Sequence, residues 1–423
     1  MPIQYKINVF KDLVTQYPSW EELQKYLESP EGGLFRVADN KEDSGFCVIR
    51  YEKGTSKMDL PHSKWFRSVV WNTKTNRPVC VAPPKAAIQE FPFKTLKDAS
   101  DAGVVCQELL DGFMINCFKA VGDETFHITS RSRLSAAGKF YSNKSFRELF
   151  EEAYVNTNSE IAGYEQDIRS PNAASSEIAT FYSFLVQHAE HRNVKPIKSN
   201  RVYLVHSGVV YDDGRIEFED SPETVKGVPN IENIPLIPVV TKQKISYAQI
   251  VVTEESVSDD SEVQKWIKKQ IVDRDWSFQG LVFKDSTGNR WRYRSEKYSA
   301  VKTLRGNSPN IIERFSQLYT QSLIVRYLEY YPEDKKLIVD QMKIMDILIK
   351  FLYDNYVDIH ITKIRAAETV DKMYLPHLYS IHGIYLNQLK PSNKKVNFCE
   401  IKEYLHKQPW QRIVFLIKKL PKQ

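Results

Sequence analysis

From the N-terminus to about residue 305, apolar and polar positions alternate in short runs, the period-two pattern of strands with one buried face. CQELLDGFMINCF leads into the Val121-Gly122-Asp123 turn and then TFHITSR, and VYLVHSGVVY reaches Asp212-Asp213-Gly214 before RIEF. Both predict hairpins. A third is predicted where QGLVFK and RWRYRS flank Asp285-Ser286-Thr287-Gly288-Asn289, residue types that tolerate positive φ. Two polar stretches, NTNSEIAGYEQDIRSPNAASSE and TEESVSDDSE, interrupt the strands and suit loops or capped helix starts. Beyond Arg305-Gly306-Asn307 the period changes. Ile338, Met342, Met345, Ile349, Leu352 and Tyr356 recur at four-three-four spacing and predict one apolar helical stripe, opening at Pro332-Glu333-Asp334. The pattern therefore predicts an α+β chain: antiparallel sheets over residues 1–305, including an N-terminal extension, then an all-helical C-terminal domain over 306–423.

The 42% hydrophobic content indicates a globular chain, and 423 residues suffice for two or three separately cored domains. A formal charge of +6 leans mildly toward polyanionic partners. Cys47, Cys80, Cys106, Cys117 and Cys399 leave one cysteine over and form no C-x-x-C pair, which argues against a disulfide framework or structural zinc. With no secretory leader and no run of about 18 apolar residues, the expectation is a cytoplasmic protein with no membrane contact.

Candidate chemistry lies in an ordered set of segments. Glu108-Leu109-Leu110-Asp111-Gly112 resembles the Lys-x-Asp-Gly signature of covalent nucleotidyltransferases, and Ser130-Arg131-Ser132-Arg133 resembles the basic segment that follows it in RNA ligases. Gln279-Gly280-Leu281-Val282-Phe283-Lys284 resembles a Glu-Gly-h-V-h-Lys motif, and Arg292-Tyr293-Arg294 resembles the closing Lys-x-Lys. Together with FRSVVWNTKTNRPVCVAPPKA, YSFLVQHAEHRNV and YSAVKTLRGNSPN, these blocks resemble the RNA ligase family of bacteriophages and large eukaryotic DNA viruses over residues 35–310. The helical tail looks like the same viral branch. The resemblance implies a nucleotidyltransferase, or ligase adenylylation-domain, fold. It also implies three-step chemistry: a lysine takes AMP from ATP, AMP passes to an RNA 5′-phosphate, and the 3′-hydroxyl displaces it. Basic side chains and a carboxylate-held divalent metal would stabilise that charge.

Residue by residue, the resemblance implies lost catalysis. Leu109 stands where the nucleophile should be, and its side chain has no lone pair to attack phosphorus. Gln279 replaces the metal-organising glutamate, and Leu185 falls where a third motif would carry another, so no intact metal site is expected. Arg292 and Arg294 keep positive charge but present planar forks in place of compact ammonium groups. Asp111, Gly112, Arg131, Gly280 and Lys284 complete the expected nucleotide- or phosphate-binding remnant. Asp111, Gln279, Arg292 and Arg294 should converge on one cleft between sheets. Leu109 and Asp111, two apart on one strand, should point into it.

Other candidates read as structure. His188 and His191 lie three apart, yet His-x-x-His without a further ligand is ordinarily a packed or solvated pair. Arg192 reads as a structural contact. Lys394, Lys395, Lys418, Lys419 and Lys422 either face phosphate or form a solvated surface. Three functions remain open: a catalytically inactive ligase relative binding RNA or a protein partner and needing no cofactor; an active ligase using ATP, Mg and an unconventional nucleophile; and a structural protein of the host cytoplasm or virus particle.

Overall fold

The structure is a computed structural model describing residues 3–41, 44–87, 90–157, 169–220 and 261–421. The chain divides into two compact units, Met1–Ser299 and Ala300–Gln423. Most of TEESVSDDSE, the centre of the other polar stretch and Lys422 lie outside the described residues.

The first unit opens with β1 (Ile3–Ile7), whose alternate residues Ile3, Tyr5 and Ile7 are buried. Two short helices that the period-two reading missed follow, α1 (Val9–Gln16) and α2 (Trp20–Glu28). Ser19 caps α2 in a capping box with Glu22, a device that contributes about 1 kcal/mol. β2 (Arg36–Lys41), β3 (Phe46–Arg50), β4 (Val69–Asn72) and β5 (Arg77–Val81) form a four-stranded sheet in chain order. After α3 (Leu96–Asp101) come β6 (Val105–Glu108), β7 (Phe113–Ala120), β8 (His127–Ser130) and α4 (Phe146–Thr157). β9 (Glu177–Gln187), β10 (Arg201–Tyr211), β11 (Ile216–Asp220), α5 (Glu262–Val272), β12 (Gly280–Lys284) and β13 (Arg290–Arg294) complete the unit's strands.

A six-stranded sheet runs β1-β11-β10-β9-β7-β8 and a three-stranded sheet runs β13-β12-β6, with every named pair antiparallel. The three expected hairpins are β7–β8, β10–β11 and β12–β13. CQELLDGFMINCF, however, is two strands. β6 stops at Glu108 and belongs to the three-stranded sheet, whereas β7 starts at Phe113 in the six-stranded one. Leu109 to Gly112 is the crossing between sheets, so the expected strand carrying both Leu109 and Asp111 does not exist.

The second unit is helical, and the division falls inside α6 (Glu296–Arg305). It continues with α7 (Ile311–Thr320), α8 (Ile324–Tyr330), α9 (Lys335–Tyr356), α10 (Leu375–Ile384), α11 (Phe398–His406) and α12 (Trp410–Lys419). α9 buries Ile338, Met345, Ile349, Leu352 and Tyr356 as the stripe requires. Met342 is a correction: it is 45% exposed, and Gln341 takes the buried place because the contacting face winds slightly off the strict repeat. A buried ionic cluster in which Arg305, Arg314 and the Tyr327 hydroxyl all contact the Asp334 carboxylate fixes the helices locally.

Candidate functional site: a sheet crossing and an arginine ladder

At the crossing, the Leu109 N–H donates to the Gly280 carbonyl at 2.8 Å, tying the chain to the start of β12. Leu110 is buried with Val205, and Met114, Leu185 and Tyr203 pack against them. These last three are register neighbours across β7, β9 and β10, so they present one apolar row on one face of the six-stranded sheet. Leu185 is thus part of a packed apolar cluster. Asp111 is engaged by the chain itself: Asn193 Nδ2 donates to Oδ1 at 3.0 Å, and the N–H groups of Val194 and Lys195 donate to Oδ2 at 2.9 and 3.0 Å. Gln187 Nε2 takes the Asp111 carbonyl at 2.8 Å. The carboxylate locks the crossing to the turn after β9.

Gly112 and Gly280 are there for backbone reasons. A Cβ at Gly112 would lie 2.4 Å from the Val186 carbonyl oxygen; at Gly280, where φ is +139°, it would meet the Tyr293 carbonyl oxygen at 2.0 Å. Gln279 is buried beside this point, and its carbonyl accepts the Ser295 N–H at 2.9 Å.

The other wall is electrostatic. On β13, Trp291 and Tyr293 pack into the core shared with α5, so the alternate residues Arg290, Arg292 and Arg294 take the opposite face. Arg67, just before β4, approaches them: burial, then Arg290, and further Arg131 and Arg292 push its guanidinium down to about 10. Burial followed by Arg292 also lowers Arg294, which in turn senses Tyr298 and Asp111. Arg131 stacks on the Tyr51 ring at 4.6 Å, and Lys85 lies over the same ring at 4.9 Å. Arg290 Nη1 and Arg294 Nε are buried without a hydrogen-bond partner among the described residues.

Asp111, Arg131, Arg292 and Arg294 thus lie in one electrostatic neighbourhood, and Gln279 sits at its edge. Arg67 and Arg290 belong with them, although the sequence reading passed over both. The period-two Arg-x-Arg-x-Arg run on β13 was a visible signal for Arg290; nothing local marked Arg67. Lys284 is a correction. It is 1% exposed and ion-paired with the equally buried Asp220, so its charge is spent internally and it does not join the ladder. Burial drives its ammonium down to about 8 even though Asp220 pulls upward. Burial alone would raise the Asp220 carboxyl, but Lys284 and Arg290 hold it below the ordinary range.

Behind the apolar row lies a buried polar one: Ser183 Oγ donates to Asn116 Oδ1 at 2.7 Å, and His206 Nε2 lies 3.0 Å from both Ser183 Oγ and the Val81 carbonyl. His188 and His191 turn apart. His188 Nε2 meets Glu152 at 3.0 Å, whereas the His191 ring packs 4.7 Å from Phe113 and 5.3 Å from Phe146. Glu152, His188 and Glu190 hold their ligand atoms within 4.8 Å, but Lys144 Nζ already bridges the two carboxylates at 2.9 and 2.6 Å. Arg192 is buried, donating to the Val194 carbonyl at 2.9 Å beneath the Trp276 ring. A concavity on the outer face of the six-stranded sheet is polar but balanced, with Lys6 paired to Glu217 and Arg169 to Glu177. Within the first unit, guanidinium groups gather at the ladder.

No helix among the described residues is long and apolar enough to cross a membrane. No protein-family model matches the chain, and no curated protein matches it. Among solved structures it is similar to an archaeal ATP-dependent RNA ligase, form 1, with a TM-score of 0.33 and 9% identity over 73% of this chain and 68% of that one.

Proposed function

We propose that the first unit is a nucleotidyltransferase-type RNA ligase domain that no longer adenylylates itself and instead binds the RNA backbone through its arginines. One observation carries this reading: Trp291 and Tyr293 face the core, so Arg290, Arg292 and Arg294 line the other face of β13, where Arg67, held down to about 10 chiefly by burial and then by Arg290, Arg131 and Arg292, joins them. Like charges held together favour an anion between them. On this reading Leu109 stands at the nucleophile's position and Leu185 lies in an apolar row, so neither of these two positions supplies a nucleophile or a metal ligand.

A lysine held near 8 is the residue type an unconventional nucleophile would need, and among the described residues Lys284 is such a lysine. Its burial and its pairing with Asp220 close it to a nucleotide.

Intact mass measured after incubation with ATP and magnesium tests the chemistry: no added AMP is expected, and a stable lysyl adduct would show the reading to be wrong. Fluorescence polarisation with labelled RNA tests the binding. Affinity of roughly micromolar order, falling steeply with salt, is expected. Arg292→Ala with Arg294→Ala should weaken it about tenfold or more. Binding that is absent at low salt, or indifferent to the double substitution, would leave a structural role in its place.

A further inference from the structure

Positive charge is unevenly distributed along the chain. Between Lys390 and Gln423 there are nine lysines and arginines against two glutamates, a surplus of seven where the whole chain carries +6. Much of it surrounds α12. This helix turns Ile413, Val414, Leu416 and Ile417 inward and leaves Arg412, Phe415, Lys418 and Lys419 exposed on the opposite face. It contains no acidic residue, and no ion pair restrains those three cations among the described residues. Arg412 makes one long contact, Nη1 to Gln408 Oε1 at 3.4 Å.

Lysines in a last helical turn are an ordinary complement to the helix dipole. A phenylalanine left 50% exposed among cations is not explained that way. Arg412, Phe415, Lys418 and Lys419 fall at i−3, i, i+3 and i+4, hence on one stripe roughly 10 Å long. An aromatic face flanked by cations on such a stripe matches a base stacked between two phosphates of an unpaired strand.

We infer that the outward face of α12 is a docking surface for single-stranded nucleic acid, with Phe415 as the stacking platform and Arg412, Lys418 and Lys419 as phosphate contacts. It is a second surface, independent of the arginine ladder. A bilayer is a poor occupant because the helix's apolar face is already buried, which leaves one side chain to insert. A second copy of this face would bring like charges together. Nothing on the stripe distinguishes ribose from deoxyribose, so RNA and DNA strands should bind equally.

The experiment uses the full chain carrying Arg292→Ala and Arg294→Ala, so that the ladder's contribution is reduced, with labelled unpaired RNA, unpaired DNA and duplex of matched length. Residual binding to both unpaired strands, tighter than to duplex, is expected. Phe415→Ala should weaken it about 5- to 100-fold at unchanged salt slope, and Phe415→Trp should restore it. Arg412→Glu, Lys418→Glu and Lys419→Glu together should reduce the log-log salt slope by about 2. Since all four positions are exposed, unfolding midpoints should stay put and serve as the folding control. The inference is overturned if the ladder variant binds no strand, if Phe415→Ala has no effect, if duplex binds as tightly, or if anionic vesicles or an acidic polypeptide compete through the same residues. None of these outcomes depends on whether the intact ladder binds RNA.

Discussion

The crossing from β6 to β7 and the ladder on β13 lie close together, yet they hold opposite kinds of side chain. At the crossing, Leu110, Met114, Leu185, Tyr203 and Val205 have closed into an apolar cluster, and the one carboxylate, Asp111, is tied to backbone N–H groups. Along the ladder, Arg290, Arg292 and Arg294 alternate with core residues and face Arg67. The crossing gains stability from its residues and offers no reactive atom. The ladder carries guanidinium charge, of which Arg292 is exposed while Arg290 is partly buried near Asp220. The contrast teaches that neighbouring segments can be specialised separately: apolar side chains close the crossing, while guanidinium groups line one face of β13.

The largest test of the contrast is the pair beneath it. Asp220→Ala strands Lys284 as a buried unpaired ammonium, and a loss of about 3–5 kcal/mol in urea unfolding is expected. A loss below about 1 kcal/mol would mean that Lys284 reaches solvent and belongs with the ladder after all. At the crossing, Leu110→Ala should cost about 2–4 kcal/mol while leaving RNA affinity unchanged. Should RNA binding fall with it in protein that remains folded, the crossing is part of the binding surface and the division fails.

A pH series sharpens the comparison further. Burial pushes the His206 imidazole down to about 3, so between roughly pH 6.5 and 3 the unfolded chain takes up a proton that the folded chain refuses. Stability should therefore fall as pH drops through that window, by up to about 1.4 kcal/mol per unit from this residue. His206→Asn should flatten the slope, though not abolish it, since burial lowers His62 and His377 as well. The smallest expected effect is on the ladder itself. Arg292→Ala should move unfolding by less than about 0.5 kcal/mol, because it is exposed, while the RNA salt slope drops by about 0.7.

Much of this was legible in the sequence. The hairpins β10–β11 and β12–β13 are written in their turns, where Asp-Asp-Gly and Asp-Ser-Thr-Gly-Asn separate alternating strands. α9 is written in its stripe, apart from Met342 and Gln341. The crossing was not legible, because Leu109-Leu110 continues the apolar content of the strand before it and nothing local says that the chain changes sheet. Lys284 was misread for a related reason: a lysine in a strand reads as ligand-facing until its distant partner Asp220 is in place. The helices α1 and α2 fell below the length at which a 3.6-residue period declares itself.

Gly280 has a consequence for how such a protein would look under random mutagenesis. With 2.0 Å between an added Cβ and the Tyr293 carbonyl, any side chain there displaces the β12–β13 hairpin, so a library screened only for soluble expression would be purged at this codon. Gly112, at 2.4 Å from the Val186 carbonyl, would be purged with it. One glycine of each signature-like segment is therefore demanded by backbone crowding alone, and its presence carries no information about whether a reaction takes place.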